Sequence, residues 1–307
     1  MSLAGLAGPF LDPTDRSTES PRMLAPTTAA LALSLASIGQ ADWREPFPGH
    51  RVTGNVYYVG SKDLASYLIT SPEGHILINS SFERNVPMIR KSVESLGFKM
   101  ADIKILLASH AHSDHVAGHA LMQKETGAKV FVMRGDDTVI ASGGEGQYFY
   151  TFNRWKPCKV DRVLDDGDLV KLGGVTLVAH RTPGHTKGCT TWTCRVESGG
   201  KMYDVVVIGS PNVNPGFRLV DNKWYPEIAD DFAKTFEVLK KLPCDVFLGA
   251  HGGYYGMVEK YERVKKGAGP NPFIDPDGYR TYVAQKERAF RDTLAAQRKP
   301  KAAERTR

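Results

Sequence analysis

The chain has 307 residues, 41% of them apolar and 24% charged, so it is long enough to bury one large core within a single domain of about 250 residues. Its formal charge is +6, but residues 298–307 alone hold five basic residues against one Glu, which marks a solvated tail more than a nucleic-acid arm. The rest of the chain is only mildly basic, which excludes a dedicated nucleic-acid binder and suits a small anionic substrate.

From the amino end, residues 24–38 are rich in Ala and Leu and carry no charge. Gly39-Gln40-Ala41 follows with small residues at the first and third positions, as at a signal-peptidase site. Residues 1–41 therefore read as an export segment, residues 42–297 as the folded domain and residues 298–307 as a flexible basic tail. The apolar stretch, about fifteen residues, is short of the roughly twenty that a membrane span needs. A periplasmic or secreted protein without lasting membrane association is expected, starting at Met1 or Met23 and working as a monomer.

Strands are predicted at 55–59, 65–70 and 75–80, the last two joined by Ser71-Pro72-Glu73-Gly74. Val86, Ile89, Val93 and Leu96 recur at helical spacing and predict a helix over 86–96. A strand at 103–108 leads into a polar loop, a helix reaching Thr126 and a strand at 129–133. A short helix over 136–141 and a mobile glycine-rich loop at 142–146 come next. Tyr148, Phe149, Tyr150, Phe152 and Trp155 then either line the entrance to a site or pack into the core. In the second half, strands are predicted at 175–179, 190–196 and 203–208. A helix over 228–242 follows, burying Phe232, Phe236 and Leu239, with Asp230 and Asp231 near its positive end. A Pro- and Gly-rich connector at 267–278 precedes a last helix presenting Tyr279, Tyr282, Val283, Phe290 and Leu294. The sequence holds no tandem repeat and no dinucleotide or phosphate loop. Of the four cysteines, Cys189 and Cys194 on one strand would stand roughly 16 Å apart, too far to pair. A Cys158–Cys244 pair is open, but all four are expected to be small apolar fillers, Cys189 near the site.

The chemistry is concentrated in Ser109-His110-Ala111-His112-Ser113-Asp114-His115, directly after the apolar strand at 103–108. A lone His would read as a core or surface residue, but no packing requirement asks for three imidazoles and a carboxylate in six positions. In an extended segment side chains repeat with period two, so His110 and His112 would project together onto one metal while Asp114 and His115 turn toward a second. Zinc accepts neutral imidazole and carboxylate, and an open position lowers the pKa of its water to about 7, so the implied chemistry is hydrolysis.

This H-x-H-x-D-H cluster resembles that of the metallo-β-lactamase superfamily, whose fold is a four-layer αββα sandwich of two mixed sheets flanked by helices, with the metal site along one edge. The resemblance implies a further His in a Pro-Gly-His context, matched by Thr182-Pro183-Gly184-His185. It also implies a last His after a late strand, matched by Leu248-Gly249-Ala250-His251. It assigns His110, His112 and His185 to one zinc ion and Asp114, His115 and His251 to a second, with Asp114 also orienting the attacking hydroxide. Lactonases and thioester hydrolases of the glyoxalase II kind share the cluster. They carry a metal-bridging Asp in a Gly-Asp pair between the third and last histidines, whereas residues 205–208 here end in Gly209-Ser210.

Ser210 at that place, with His115 after Asp114, resembles the third subclass of class B β-lactamases. The activity so implied is hydrolysis of the amide bond of penicillins, cephalosporins and carbapenems by zinc-bound hydroxide. Two zinc ions are then the cofactors and a small-molecule β-lactam is the partner. A lactonase or thioesterase of the same fold is the alternative, and a non-catalytic metal-binding scaffold is a third reading. Ser210 and Asn212 stand where that subclass holds the substrate carboxylate, with Asn212 in place of the Ser that members often carry. Pro211 removes a donor from this loop, Cys244 lacks the disulfide partner of several members, and Gly252-Gly253 is expected to loosen the turn after His251. His119 is expected to be structural.

Overall fold

A computed structural model describes residues 43–267 and 269–299; the expected export segment, and the basic tail from residue 300, lie outside the described residues. Four strands, β1 (His50–Thr53), β2 (Val56–Tyr58), β3 (Tyr67–Ser71) and β4 (Gly74–Ile78), run as an antiparallel meander. Parallel strands β5 (Ile103–Leu107), β6 (Lys129–Met133) and β7 (Arg162–Leu164) extend it to a seven-stranded sheet in chain order. The crossovers hold helices α1 (Val86–Ser95), α2 (Ser113–Val116), α3 (His119–Thr126) and α4 (Asp137–Ala141). A second sheet takes β8 (Leu169–Leu172), β9 (Val175–Arg181), β10 (Thr190–Ser198) and β11 (Lys201–Ile208), all antiparallel. Helix α5 (Ile228–Lys241) then leads to β12 (Val246–Gly249), which lies parallel to β11 at the edge. Helices α6 (Met257–Lys265) and α7 (Pro276–Arg298) close the described chain. Among the described residues no helix is long and apolar enough to cross a membrane.

Strand alternation sorts the apolar residues into layers. Ile76 and Ile78 face inward with Ile69, Ile105 and Leu107, against Leu177, Ala179, Trp192, Val205 and Val207 of the second sheet. Leu77, Leu68 and Leu106 point the other way, onto Val86, Ile89 and Val93 of α1 and Met122 of α3. On the far side, Phe232 and Phe236 of α5 meet Phe290 of α7, and Phe247 of β12 meets Tyr279 and Tyr282, with ring centroids 5.4–5.7 Å apart. The result is the αββα sandwich of two mixed sheets. The sheets are stitched where it matters for function: Trp192 Nε1 donates to the Ala108 carbonyl at 3.0 Å and the Thr190 N–H to the Ser109 carbonyl at 2.7 Å, immediately before His110.

The predicted elements are present with ends shifted by a few residues, but α7 begins inside the expected connector. Asp275 caps it by accepting from the Gly278 N–H at 2.9 Å, and Pro276 opens its first turn, where a missing N–H costs nothing.

Candidate metal centre

The chain leaves β5 into a bent segment, not a continued strand. The His112 N–H donates to the His110 carbonyl at 3.0 Å, and the two rings stand 4.8 Å apart at 87°. Their convergence is therefore the work of a tight turn, whereas the period-two argument required an extended backbone. His112 is the N-cap of α2, whose single turn carries Asp114 and His115 round to the other side. His185 lies in the loop after β9. Gly184 beside it has φ 121° and approaches Phe232 so closely that an added Cβ would stand 2.6 Å from the ring. Thr235 of α5 donates to the Pro183 carbonyl at 2.6 Å, and the Tyr148 hydroxyl to the carbonyls of Gly184 and His185 at 3.1 and 3.0 Å. His251 follows β12 and forms a bridge with Leu64.

These loops bring all six sequence-selected residues together. The potential ligand atoms of His110, His112 and His185 lie within 4.8 Å of one another, and those of Asp114, His115 and His251 make a second group of the same kind. The groups adjoin, with the His110 and His115 rings 4.2 Å apart. His119 is in neither: it is buried with Nδ1 2.6 Å from Ser80 Oγ, and burial lowers it to about 3.

The electrostatics suit a cation. Burial and then the neighbouring rings hold His110 and His112 well below the ordinary imidazole range, and burial brings His185 down to about 4. Neutral rings keep a lone pair for coordination. Burial alone would raise Asp114, but its contacts with His115 and then His251 outweigh it and keep the carboxylate ionised. His115 Nε2 is buried without a hydrogen-bond partner, 3.0 Å from Asp114 Oδ2, and His251 Nε2 is 3.6 Å from the same oxygen. A bare buried imidazole nitrogen converging with a carboxylate is an arrangement that a metal satisfies.

The second ring nitrogens are held from behind. His251 Nδ1 is 2.8 Å from Asp63 Oδ2, which also accepts from Trp43 Nε1 at 2.9 Å; burial lowers His251, but the Asp63 bond and charge raise it further. His185 Nδ1 lies 2.8 Å from the Asn212 carbonyl, and His115 Nδ1 lies 3.4 Å from Asn79 Nδ2. Such partners orient a ligating ring and select its tautomer. The Gly253 N–H donates to Asp63 Oδ1 at 2.9 Å, so the glycine pair after His251 is tied down by Asp63, contrary to the loosening expected.

A cavity of about 750 Å³ opens over both groups, walled by Trp43, Phe82, Tyr150, Asn153, Asn212, Asn214 and Tyr254. Ser210 is 1% exposed and lies behind this wall, its Oγ 3.2 Å from the Tyr254 hydroxyl. Asn212 Nδ2 donates to Tyr254 at 2.7 Å and to Ser210 Oγ at 3.3 Å. The aromatic run divides between its two readings. Tyr150 lines the cavity 4.9 Å from the His112 ring, Tyr148 and Phe149 pack on Phe217, and Phe152 is 95% exposed. The glycine run at 142–146 stands off the cavity wall, with the Trp155 N–H donating to Gly143 at 3.0 Å. All four cysteines are free, and Cys189 Sγ reaches the Ser210 carbonyl at 3.6 Å.

Sequence reasoning missed Asp63, Tyr254 and Asp136. Asp63 sits among turn residues, and Tyr254 follows the glycine pair with no pattern to mark it. Asp136 opens a predicted helix, where an Asp ordinarily caps, yet it makes no capping bond. Burial pushes its carboxyl up to about 6 against the pull of Thr186, Gly188 and Ala111.

Residues 64–198 match the family model of the metallo-beta-lactamase superfamily. The native FEZ-1 metallo-beta-lactamase from Legionella gormanii is 50% identical, covering 84% of this chain and 99% of that one at a TM-score of 0.82. The class B3 di-zinc metallo-beta-lactamase LRA-12 from an Alaskan soil metagenome is 34% identical, covering 83% and 97% at a TM-score of 0.79. Among curated sequences, a hydroxyacylglutathione hydrolase of Rhodopseudomonas palustris (strain BisB5) is 28% identical over 124 residues, 40% of each protein. The chain spans less than half the length of the curated relatives it matches. Two mixed sheets between helices, two donor groups at the sandwich edge and superposition on nearly the whole of such enzymes lead to one conclusion: the chain belongs to the metallo-β-lactamase superfamily of hydrolases and is most like its subclass B3 structures.

Proposed function

We propose that this chain is a dizinc β-lactamase that opens the amide bond of penicillins, cephalosporins and carbapenems after export to the periplasm or beyond. The observation that carries this reading is the conjunction of two donor groups with a carboxylate-free end to β11. Where a bridging acid would mark a lactonase or thioesterase, Ser210 joins Asn212 and Tyr254 in a cluster of neutral donors beside the cavity. The likeness to FEZ-1 over 99% of that chain supports it.

In this reading His110, His112 and His185 hold one zinc ion and Asp114, His115 and His251 the other. Two zinc ions would supply Lewis-acid activation of water and polarisation of the amide carbonyl. Asp63 keeps the His251 ring turned to the cavity, and the Asn212 carbonyl does the same for His185. Asn212 brings two N–H donors, and Ser210 and Tyr254 one O–H each. Asn212 spends both N–H groups on Tyr254 and Ser210, and the Ser210–Tyr254 contact uses one of the two O–H groups, so one hydroxyl donor is left for an anionic group, and we assign it the carboxylate carried on common β-lactam nuclei. The Tyr254 hydroxyl, at the cavity wall, would touch it, with Asn212 and Ser210 holding that hydroxyl in place.

Purified protein should hydrolyse nitrocefin and a carbapenem, lose both activities to chelators, and resist clavulanate, because Ser210 is buried and no serine nucleophile is needed. The thioesterase reading draws on the hydroxyacylglutathione hydrolase match. Strong thioesterase or lactonase turnover without β-lactam hydrolysis would install it instead.

A further inference from the structure

Asp136 is buried, belongs to neither donor group and does not line the cavity. It follows β6 and opens α4, but its side chain turns away from that helix. Oδ2 accepts from the Ala111 N–H and from Thr186 Oγ1, each at 2.7 Å, and Oδ1 accepts from the Gly188 N–H at 2.8 Å. Ala111 stands between His110 and His112, and Thr186 follows His185. One carboxylate thus joins the backbone of the His110–His112 turn, on the first sheet, to the His185 loop, on the second.

The approach is built into the chain on both sides. A Cβ on Gly188 would stand 2.5 Å from the Asp136 nitrogen, and one on Gly135, which has φ 102°, would stand 2.9 Å from the Lys187 carbonyl carbon. Side chains at these positions would push the two loops apart. The bonds from Thr190 to Ser109 and from Trp192 to Ala108 join the sheets just before His110 and do not reach the histidine turn itself.

We propose that Asp136 is a positioning residue for the first donor group, setting the separation of the His110–His112 turn from the His185 loop and through it the affinity of that group for its metal. This rests on reading those three histidines as metal ligands. A carboxylate that accepts three donors holds both loops at one separation, so the three ring nitrogens meet a cation without further ordering. The second group is braced elsewhere, by Asp63 behind His251 and by the Ser80 and Ser81 N–H groups on the His115 carbonyl. Loss of Asp136 should therefore act on one metal and spare the other.

The test titrates zinc out of the purified wild-type, Asp136→Ala, Asp136→Asn and Thr186→Val proteins with a chromophoric chelator, and records the melting temperature of each metal-free protein. Asp136→Ala is expected to weaken one of two zinc equivalents by about 10–100-fold, with the other within about twofold of wild type. Asp136→Asn keeps an oxygen for Ala111 and Thr186 but turns an amide nitrogen toward the Gly188 N–H, and Thr186→Val deletes one bond of the three; both should fall between. A wild-type protein that binds no zinc would overturn the ligand reading beneath this inference. If wild type binds two equivalents and every variant keeps both affinities, the positioning role is wrong. It is equally wrong if both equivalents weaken together in step with the melting temperature. Should Asp136→Ala fail to fold, Asp136→Asn and Thr186→Val decide by the same criteria.

Discussion

At the scale of single residues, the site is a set of side chains whose protonation is arranged by their neighbours. Burial strips the proton from His110, His112 and His185, while the surrounding imidazoles keep Asp114 charged. Under the proposed function the donor cluster of Ser210, Asn212 and Tyr254 has a different task. A substrate carboxylate does not react, so contacts to it bind ground state and transition state alike, and their removal should raise KM more than it lowers kcat. For the Ser210→Ala/Asn212→Ala double variant a loss of about 1–3 kcal/mol is expected, or roughly five- to 150-fold in kcat/KM. Tyr254→Phe, which deletes only the hydroxyl and leaves the ring stacked on Tyr282 at 5.1 Å, should show the same KM-dominated pattern at the lower end of that range. Steady-state kinetics decide it: an unchanged KM in all of these, with only stability altered, would make the cluster a packing feature.

Among secondary-structure elements, α5 matters because it sets the height of the His185 loop. Gly184 combines a φ of 121° with contact against the Phe232 ring, and Thr235 holds the preceding carbonyl. Gly184→Ala should cost about 2 kcal/mol or more in urea unfolding and lower the first group's hold on zinc, since both the backbone conformation and the space are denied to a methyl group. A variant with wild-type stability and zinc content would show that the loop can shift freely. The longer periodic elements were legible from sequence because each repeats its apolar spacing over several residues: α1 through Val86, Ile89 and Val93, and β5 and β6 as apolar runs. Strands β7 and β8 and helix α6 were not. β7 has three residues and β8 four, too few to show a period. In α6 charges dominate, and its buried Lys260 is accommodated by Asp275 at 2.7 Å and by the rings of Phe247 and Tyr255.

For the whole molecule, stability should depend on acid through a residue outside both donor groups. His50 is stacked on Tyr58 and Phe273, its Nδ1 sits 2.9 Å from the Pro48 carbonyl, and its Nε2 is buried without a partner. Burial lowers it to about 4 despite the Pro48 bond. The unfolded chain takes up a proton near pH 6.5 that the native ring refuses until about 4. The stabilisation is therefore whole above 6.5 and lost as pH falls through this window, by up to about 3 kcal/mol. Urea unfolding at pH 7, 5.5 and 4 should show a shallower acid loss for His50→Leu than for wild type. Parallel curves would mean that His50 takes up its proton at the same pH in the folded chain as in the unfolded one.

The local sequence by itself pointed to metal-dependent hydrolysis. Four donors, His110, His112, Asp114 and His115, announced themselves through residue type and spacing, because a metal site needs imidazoles and carboxylates at strand ends and little else in a protein does, and the resemblance they carry picked out His185 and His251. The αββα order followed from the resemblance those donors carry. What only the tertiary structure decided is how the donors are held. Asp63 lies 188 positions from His251, and Asp136 lies 25 from Ala111 and 52 from Gly188. Tyr254 meets Asn212 across 42. No periodicity links such pairs: Asp63 meets His251, and Asp136 meets Gly188, only when the two sheets stack, while Ala111 and Asp136 follow the neighbouring strands β5 and β6, and Asn212 and Tyr254 the neighbouring β11 and β12. Even the His110–His112 pairing, correct from spacing, came from a turn whose geometry is imposed by the strand that ends before it and the helix that begins after it.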